Sequence, residues 1–154
     1  MITIRDAKPA DALSIVELVR AHAALEACES PITGPYIERY LSSTSNRILL
    51  AEAEGRVIGL LNYSTREDLF HAAPVCLVEE LVVAAAWRGR GVGTALLTKA
   101  TAEARALGCA EISVAVTAGN TRALEFYRSH GLDEEAILLE RHFPDALSTP
   151  EGCP

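Results

Sequence analysis

A glycine cluster, Arg88-Gly89-Arg90-Gly91-Val92-Gly93, follows an apolar run and precedes a stretch of helical periodicity. Strand, glycine-rich turn and helix in that order place several unpaired backbone N–H groups at the positive end of a helix dipole. Three glycines in five residues let a ligand approach that backbone closely, whereas a merely tight connection needs only one. The spacing therefore predicts a site for a phosphate or pyrophosphate group.

The positions of these glycines exclude two common nucleotide-binding motifs. Counted from Gly89, the place where a P-loop has Gly-Lys-Ser/Thr is occupied by Thr94-Ala95-Leu96, without the lysine. A dinucleotide fingerprint fails as well, because its third glycine would fall on Thr94 or Leu96. The predicted anion site is therefore neither a P-loop nor a dinucleotide-binding turn.

Two adjacent carboxylates, Glu79 and Glu80, interrupt the apolar run at residues 75–86 that leads into the cluster. Consecutive residues of a strand point to opposite faces of a sheet, so we expect at most one of them to face a given cleft. Glu79 shares its parity with Leu81 and Val83 and is expected on their face. Glu80 is then expected on the other.

The elements that must position these residues alternate along the chain within one predicted domain, residues 1–143, followed by a loose tail at 144–154. Hydrophobic periodicity and turn residues predict strands at 2–5, 48–53, 57–63, 75–86, 110–116 and 136–139. Helical spacing with cap signals predicts helices at 10–24, 36–41, 93–107 and 120–130.

Composition limits the classes of function that need to be considered. Of 154 residues, 49% are hydrophobic and 23% are charged, which suffices for the core of one domain. The formal net charge of −7 repels polyanions, so nucleic acid and anionic membranes are not expected as partners. The N-terminus has no secretory signal pattern and no apolar stretch reaches roughly 18 residues, so we expect a cytoplasmic protein. The cysteines and histidines show no metal-ligand spacing, and no metal site is expected.

Two motifs in sequence carry a resemblance to a known family. Arg88-x-x-Gly91-x-Gly93 directly follows a strand ending in Leu81-x-Val83, and a helix with Tyr127 seven residues after Asn120 comes later. Over nearly the whole chain, this order resembles the GNAT superfamily of acetyl-CoA-dependent N-acyltransferases. Three departures replace a frequent proline, tyrosine and phenylalanine without touching the chemistry; they are Ala85, Trp87 and Leu132.

The resemblance implies an α/β (α+β) fold with a mixed, mostly antiparallel sheet of six to seven strands. A splayed parallel pair would lie at the centre of the sheet, and about four helices would flank it. It also implies acetyl-CoA as cosubstrate, with its pyrophosphate in the glycine loop and its pantetheine amides paired to strand backbone like an added strand. The residues implied to bind the cosubstrate are Leu81, Val82, Val83, Arg88, Gly89, Arg90, Gly91, Val92, Gly93, Thr94, Asn120 and Tyr127.

The resemblance also assigns the transfer chemistry. The Tyr127 hydroxyl would meet the sulfur of the coenzyme, and because a phenol titrates near 10 and a thiol near 8.5, full proton transfer is uphill by about 2 kcal/mol. Tyr127 is therefore expected to act as a hydrogen-bond donor. Glu79 resembles the acidic residue of the Glu-Asp-Leu-x-Val pattern in the spermidine/spermine-type branch. It would act as base through a water or receive the substrate ammonium, and Glu80 or a water stays open as the base. The oxyanion would accept a backbone N–H near Leu81 or Val82.

These expectations combine into an N-acetyltransferase that acetylates a small cationic amine by direct attack in a ternary complex. The negative charge and the absence of a second recognition domain favour that acceptor. The alternatives are a peptide or protein N-terminal or lysine acetyltransferase, or a non-catalytic coenzyme A-binding sensor module. Homodimers are common in the resembled family, and the sequence leaves that state open.

Overall fold

The computed structural model describes residues 1–143, so the predicted tail at 144–154 lies outside the described residues. The strands are β1 (Thr3–Asp6), β2 (Asn46–Ala53), β3 (Arg56–Asp68), β4 (Ala73–Val83) and β5 (Glu111–Val114). The helices are α1 (Ala12–Leu25), α2 (Gly34–Leu41), α3 (Val92–Ala106) and α4 (Thr121–Ser129), with short 3₁₀ turns at Pro9–Asp11 and Ala85–Trp87.

The five strands form one sheet in the order β1-β2-β3-β4-β5. Neighbouring strands are antiparallel, except that β4 and β5 are parallel. Between β2 and β3 the chain turns at Glu54 and Gly55, whose φ angles of 54° and 73° suit the two central residues of a type I′ turn. The mixed, mostly antiparallel sheet confirms the predicted fold class, with five strands in the described part of the chain instead of six or seven.

Helices cover both faces of the sheet and divide the core into two layers. Leu49 enters the layer shared with α3 and packs in the same cluster as Leu96. Its neighbour Leu50 enters the opposite layer, where α1 and α2 contribute Ile15 and Ile37. Because adjacent residues of the central strands serve different layers, these strands are apolar on both faces.

The predicted last strand at 136–139 is wrong. Residues 133–143 have no regular secondary structure, and Ile137 and Leu139 are each 89% exposed. The outer edge of β5 has no strand partner within residues 1–143. The prediction rested on a short apolar run, and such a run forms a strand only where a sheet edge or a core accepts it.

None of the helices within residues 1–143 combines the length and the apolar character that crossing a membrane requires.

Candidate functional site

The sheet opens between β4 and β5. The two strands pair only from Val75 to Val78 with Glu111 to Val114, and the second half of β4 has no strand on that side within the described residues. This is the predicted splayed parallel pair, but within the described residues it lies at one end of the strand order instead of at the centre of the sheet. The opening exposes main-chain groups of β4 that a bound molecule can pair with.

Leu81 and Val83 are the residues whose main-chain groups face this opening. The N–H of Ala84 donates to the carbonyl of Ile58, and antiparallel pairs alternate, so the main-chain bonds to β3 come from residues 80, 82 and 84. Residues 81 and 83 therefore direct their N–H and C=O groups to the other edge. The N–H of Val82 is bonded to β3 and the N–H of Leu81 is not. Of the two, the Leu81 N–H is therefore the better candidate for the predicted oxyanion contact.

The glycine loop lies between β4 and α3. Gly89 and Gly91 have φ angles of 72° and 80°, a left-handed conformation that glycine adopts without strain. Within residues 1–143, nothing accepts a hydrogen bond from the backbone N–H groups of residues 89–94. These free donors lie at the N-terminus of α3, which begins at Val92, at the place where the sequence predicts an anion site, and anion binding there stays a prediction.

The two arginines of the loop are held in different ways. The Arg88 guanidinium donates through Nε to the carbonyl oxygen of Val83 at 3.0 Å, so it ties the loop back to the end of β4. The Arg90 guanidinium lies over the ring of Trp87, 5.2 Å from its centroid.

Tyr127 lies on α4, in the core layer shared with α3, and only 8% of its surface is exposed. Asn120 caps this helix, since its side-chain oxygen accepts from the Ala123 N–H at 3.1 Å. The Tyr127 hydroxyl makes no hydrogen bond to residues 1–143, and burial, the sole cause of the shift, raises its pKa to about 12. At neutral pH the hydroxyl is therefore protonated and free to donate.

His130 is the C-cap residue of α4. Its Nε2 lies 3.1 Å from the Thr94 hydroxyl, in the first turn of α3, and its Nδ1 lies 2.7 Å from the Phe126 carbonyl oxygen. The ring therefore joins the end of α4 to the glycine loop side of α3. The Phe126 ring also lies 3.4 Å from where a Cβ on Gly93 would be, so Gly93 is needed for close packing.

A β-bulge changes the expected placement of the two glutamates. In the register between β3 and β4, Tyr63 pairs with Val78 and Asn62 with Glu80, which leaves Glu79 as the extra residue. The expectation that alternation separates Glu79 from Glu80 is therefore wrong, because the bulge interrupts the alternation. Both carboxylates lie on the α1–α2 face of the sheet.

Three side chains that the sequence analysis did not identify hold the Glu79 carboxylate. The Ser64 hydroxyl donates to Oε1 at 2.8 Å, while Asn62 Nδ2 and the Tyr40 hydroxyl lie 3.2 and 3.4 Å from Oε2. Asn62 Nδ2 also donates to the Tyr40 hydroxyl oxygen at 3.2 Å. One signal was available: Asn62 and Ser64 are polar residues two apart in an apolar strand, so they share a face. The contribution of Tyr40 depends on where α2 packs.

Glu80 is accessible to solvent, and it makes no side-chain hydrogen bond within the described chain. Crowding by the surrounding protein, and secondarily the negative charge of Glu79, raise the pKa of Glu80, while His22 on α1 acts in the opposite direction. From Glu80 to Val83 the strand advances about 10 Å. An acceptor held by the glutamates can therefore extend to a group bound along residues 81–83.

No set of three or more metal-ligating side chains occurs in residues 1–143.

Comparison with known sequences identifies relatives along most of the chain. A family model described as Acetyltransferase (GNAT) family matches residues 16–132. Aminoglycoside N(6')-acetyltransferase type 1 of Stenotrophomonas maltophilia is 30% identical over 146 residues, covering 92% of this chain and 93% of the relative. An uncharacterized N-acetyltransferase of Methanocaldococcus jannaschii is 27% identical over 111 residues, covering 67% of this chain and 46% of the relative.

Solved structures share the fold at lower identity. A transcriptional regulator from Bacillus halodurans matches with a TM-score of 0.83 and 22% identity, covering 93% of this chain and all of that chain. An aminoglycoside acetyltransferase from an uncultured soil metagenomic sample, in complex with sisomicin, has a TM-score of 0.80 and 20% identity, with 92% and 95% covered. An aminoglycoside N-acetyltransferase in complex with CoA has a TM-score of 0.77 and 20% identity, covering 92% of this chain and 95% of that chain.

Proposed function

The chain belongs to the acetyltransferase (GNAT) family, and from that membership we propose that it moves the acetyl group of acetyl-CoA to a primary amine of a small cationic molecule. The amine attacks the thioester directly in a ternary complex. The observation that carries the proposal is the opening between β4 and β5. Beside this opening, β4 carries the two carboxylates and the main-chain groups of Leu81 and Val83 that do not bond to β3, and the loop that follows β4 carries the free N–H groups. Of these main-chain groups, only the Val83 carbonyl has a partner within the described chain, the Arg88 guanidinium.

Acetyl-CoA fits this opening in two parts. The pyrophosphate is proposed to accept from the N–H groups of residues 89–94, with Arg88 and Arg90 adding positive charge beside it. The pantetheine arm is proposed to pair with the main chain of Leu81 and Val83, as a strand would. Such pairing gives affinity without depending on the side chains of β4.

Tyr127 is proposed to donate to the sulfur that leaves the thioester. Its pKa of about 12 lies some 3.5 units above that of an ordinary thiol, so giving up the proton completely is uphill by about 5 kcal/mol. The hydroxyl therefore acts as a donor that stabilises the developing thiolate. Its lack of a protein partner leaves that hydrogen bond available to the cosubstrate.

The acceptor amine is proposed to bind as an ammonium at the Glu79 carboxylate. Ser64, Asn62 and Tyr40 hold this group in place, and Glu80 beside it adds a second negative charge on the same face. An alkylammonium of pKa near 10.4 must lose a proton before it attacks, at a cost of about 4.6 kcal/mol at pH 7. The same face must therefore also supply a base.

Thermal unfolding with acetyl-CoA tests the cosubstrate. At about 100 times its Kd, acetyl-CoA is expected to stabilise the fold by about 2.7 kcal/mol, which raises the Tm by roughly 5–11 °C for a chain of this length. ATP, which carries phosphates but no pantetheine arm, serves as the control and should give a smaller shift. If acetyl-CoA leaves the Tm where it is, the proposed function is wrong.

Release of free coenzyme A in the presence of amines tests the reaction itself. The panel consists of sisomicin, spermidine, amino acids and a peptide with a free N-terminus. We expect turnover with a small polycationic amine and little with the peptide, because a cationic acceptor matches the two carboxylates. Thermal stabilisation by acetyl-CoA without turnover of any amine would instead identify a coenzyme A-binding module.

A further inference from the structure

The bulge in β4 places two carboxylates side by side, and the structure gives them unequal surroundings. Glu79 has its oxygens occupied by three donors, whereas Glu80 has no side-chain hydrogen bond within residues 1–143. Two equivalent carboxylates would compete for one proton. Unequal surroundings allow one of them to hold a cation while the other takes a proton.

The donors around Glu79 suit an ionised carboxylate. Asn62 Nδ2 can only donate, and it lies 3.2 Å from Oε2, so a proton on that oxygen would point at another hydrogen-bond donor. The Ser64 hydroxyl occupies Oε1 at 2.8 Å. Holding a positively charged group is therefore the role that fits Glu79.

Glu80 has the surroundings of a proton acceptor. The titratable groups that face it are Glu79 on its own strand, Tyr40 on α2 and His22 on α1. Packing and the like charge of Glu79 oppose ionisation of Glu80, and its raised pKa is in the direction that a general base at neutral pH needs. Its accessible carboxylate can also meet a ligand directly.

Asn62 supplies an observation independent of the acidic pair. Its side chain is 8% exposed, and its Oδ1 is a buried acceptor with no partner. Asn62 is paired with Glu80 across the β3–β4 register, and directly opposed side chains lie on one face with Cβ atoms about 4.5–5.5 Å apart. A buried acceptor without a donor is costly, and an ionised Glu80 has no hydrogen to offer. A protonated Glu80 has one.

We propose that Glu80 accepts the proton of the substrate ammonium and that Asn62 Oδ1 then accepts a hydrogen bond from the protonated Glu80 carboxyl. This inference rests on the proposed function and completes it by separating the two glutamates. Glu79 binds the ammonium group, Glu80 is the base, and Asn62 is a positioning residue that donates to Glu79 and lies opposite Glu80 in the strand register.

The proton and electron balance closes without a further reactant. One N–H bond of the ammonium breaks and its proton forms an O–H bond with Glu80. The nitrogen lone pair then attacks the thioester carbonyl carbon, and the C–S bond breaks with its electron pair going to sulfur. A second nitrogen proton passes to the thiolate, which gives the amide and free coenzyme A. Glu80 releases its proton to solvent.

Profiles of kcat against pH test this assignment, with acetyl-CoA and the best acceptor of the panel. In the parent, activity is expected to fall as the pH drops through the raised pKa of Glu80, because a protonated Glu80 cannot act as base. E80Q should lower kcat about 100-fold. Its profile should also lack this fall in activity at low pH, which we call the acidic limb. E79Q should mainly raise KM for the amine and keep the limb, moved to lower pH because the charge that raises the pKa of Glu80 is gone. E17Q, on the exposed face of α1, is the matched control and should behave as the parent.

Two β3 variants separate positioning from folding. N62L keeps the branched shape but removes both the carbonyl and the amide donor to Glu79, so the acidic limb should move to lower pH and KM for the amine should also rise. S64A removes only a donor to Glu79, so it should raise KM and leave the limb in place. Both are accompanied by a Tm measurement. A limb that stays in place in N62L and disappears in E79Q would overturn the assignment.

Carbon NMR of side-chain carboxyls titrates the resting protein and does not depend on turnover. The carboxyl that E80Q removes from the spectrum should titrate above the usual range of a glutamate, and N62L should lower its pKa. A Glu80 carboxyl that titrates in the usual range, or one whose titration N62L leaves unchanged, would overturn the inference. If no amine is acetylated but Glu80 titrates as expected, the proposed function fails, while the role of Asn62 beside Glu80 remains.

Discussion

Replacing Tyr127 with phenylalanine is expected to lower kcat by about 10²- to 10³-fold while the free energy of unfolding stays unchanged. Removal of one donor that stabilises developing negative charge typically has an effect of that size. Stability should not change, because the hydroxyl has no partner within residues 1–143 and the ring that fills the core is kept. Steady-state kinetics and denaturant unfolding of the same preparation measure both quantities.

Tyr63→Phe is the matched control for this substitution. The Tyr63 side chain is 1% exposed, but its hydroxyl donates to the Glu103 carboxylate at 2.6 Å on the α3 side of the sheet. Losing a hydrogen bond to a charged group should cost about 1.5–3 kcal/mol of stability with kcat unaffected. The two tyrosines should therefore show opposite patterns. If Tyr127→Phe lost stability and kept its kcat, Tyr127 would be a core residue and nothing more.

Gly91→Val is expected to weaken acetyl-CoA binding at least about 100-fold. Gly91 has a φ of 80°, and a β-branched residue avoids this conformation, so the loop must rearrange. Hydrogen bonds from loop N–H groups to a phosphate are each worth about 1.5–3 kcal/mol, and losing two of them suffices for that change in Kd. Isothermal titration with acetyl-CoA measures it.

Gly108→Val separates backbone strain from the loss of ligand contacts. Gly108, just after α3, has a φ of 77° and open space where a side chain would go, as Gly91 does. Both variants should lose about 2 kcal/mol of stability from the left-handed conformation. Only Gly91→Val should lose acetyl-CoA affinity. If the two variants bound acetyl-CoA with equal affinity, the pyrophosphate would not bind in the glycine loop.

The sequence predicted the elements around the glycine loop well because their signals are local. The glycine loop, the helix that follows it and the cap at Asn120 depend on residues within a few positions of one another. The acidic face was predicted poorly because its contacts are distant in sequence. Tyr40 and Ser64 meet Glu79 only after α2 packs and β3 pairs, and no pattern in the chain specifies that meeting.

The two wrong expectations have related causes. Alternation along β4 assumed a regular ladder, but a bulge depends on the register with β3 and not on the residue types at 79 and 80. The strand at 136–139 assumed that an apolar run finds a neighbour, and β5 presents an edge that the described chain leaves unpaired. In both cases the pairing of strands decided the outcome, and pairing is a property of the whole sheet.

The bulge at Glu79 can also be regarded as a one-residue insertion. If residue 79 were absent, Val78 and Glu80 would still oppose Tyr63 and Asn62, and the alternation of β4 would be regular. The bulge directly follows Val78, the last residue of β4 that pairs with β5, and bulges bend a strand and increase its twist. A deletion of Glu79 alone should therefore straighten β4 and let it continue along β5. The opening beside β4 and the second carboxylate are then expected to disappear together, because both depend on the same extra residue.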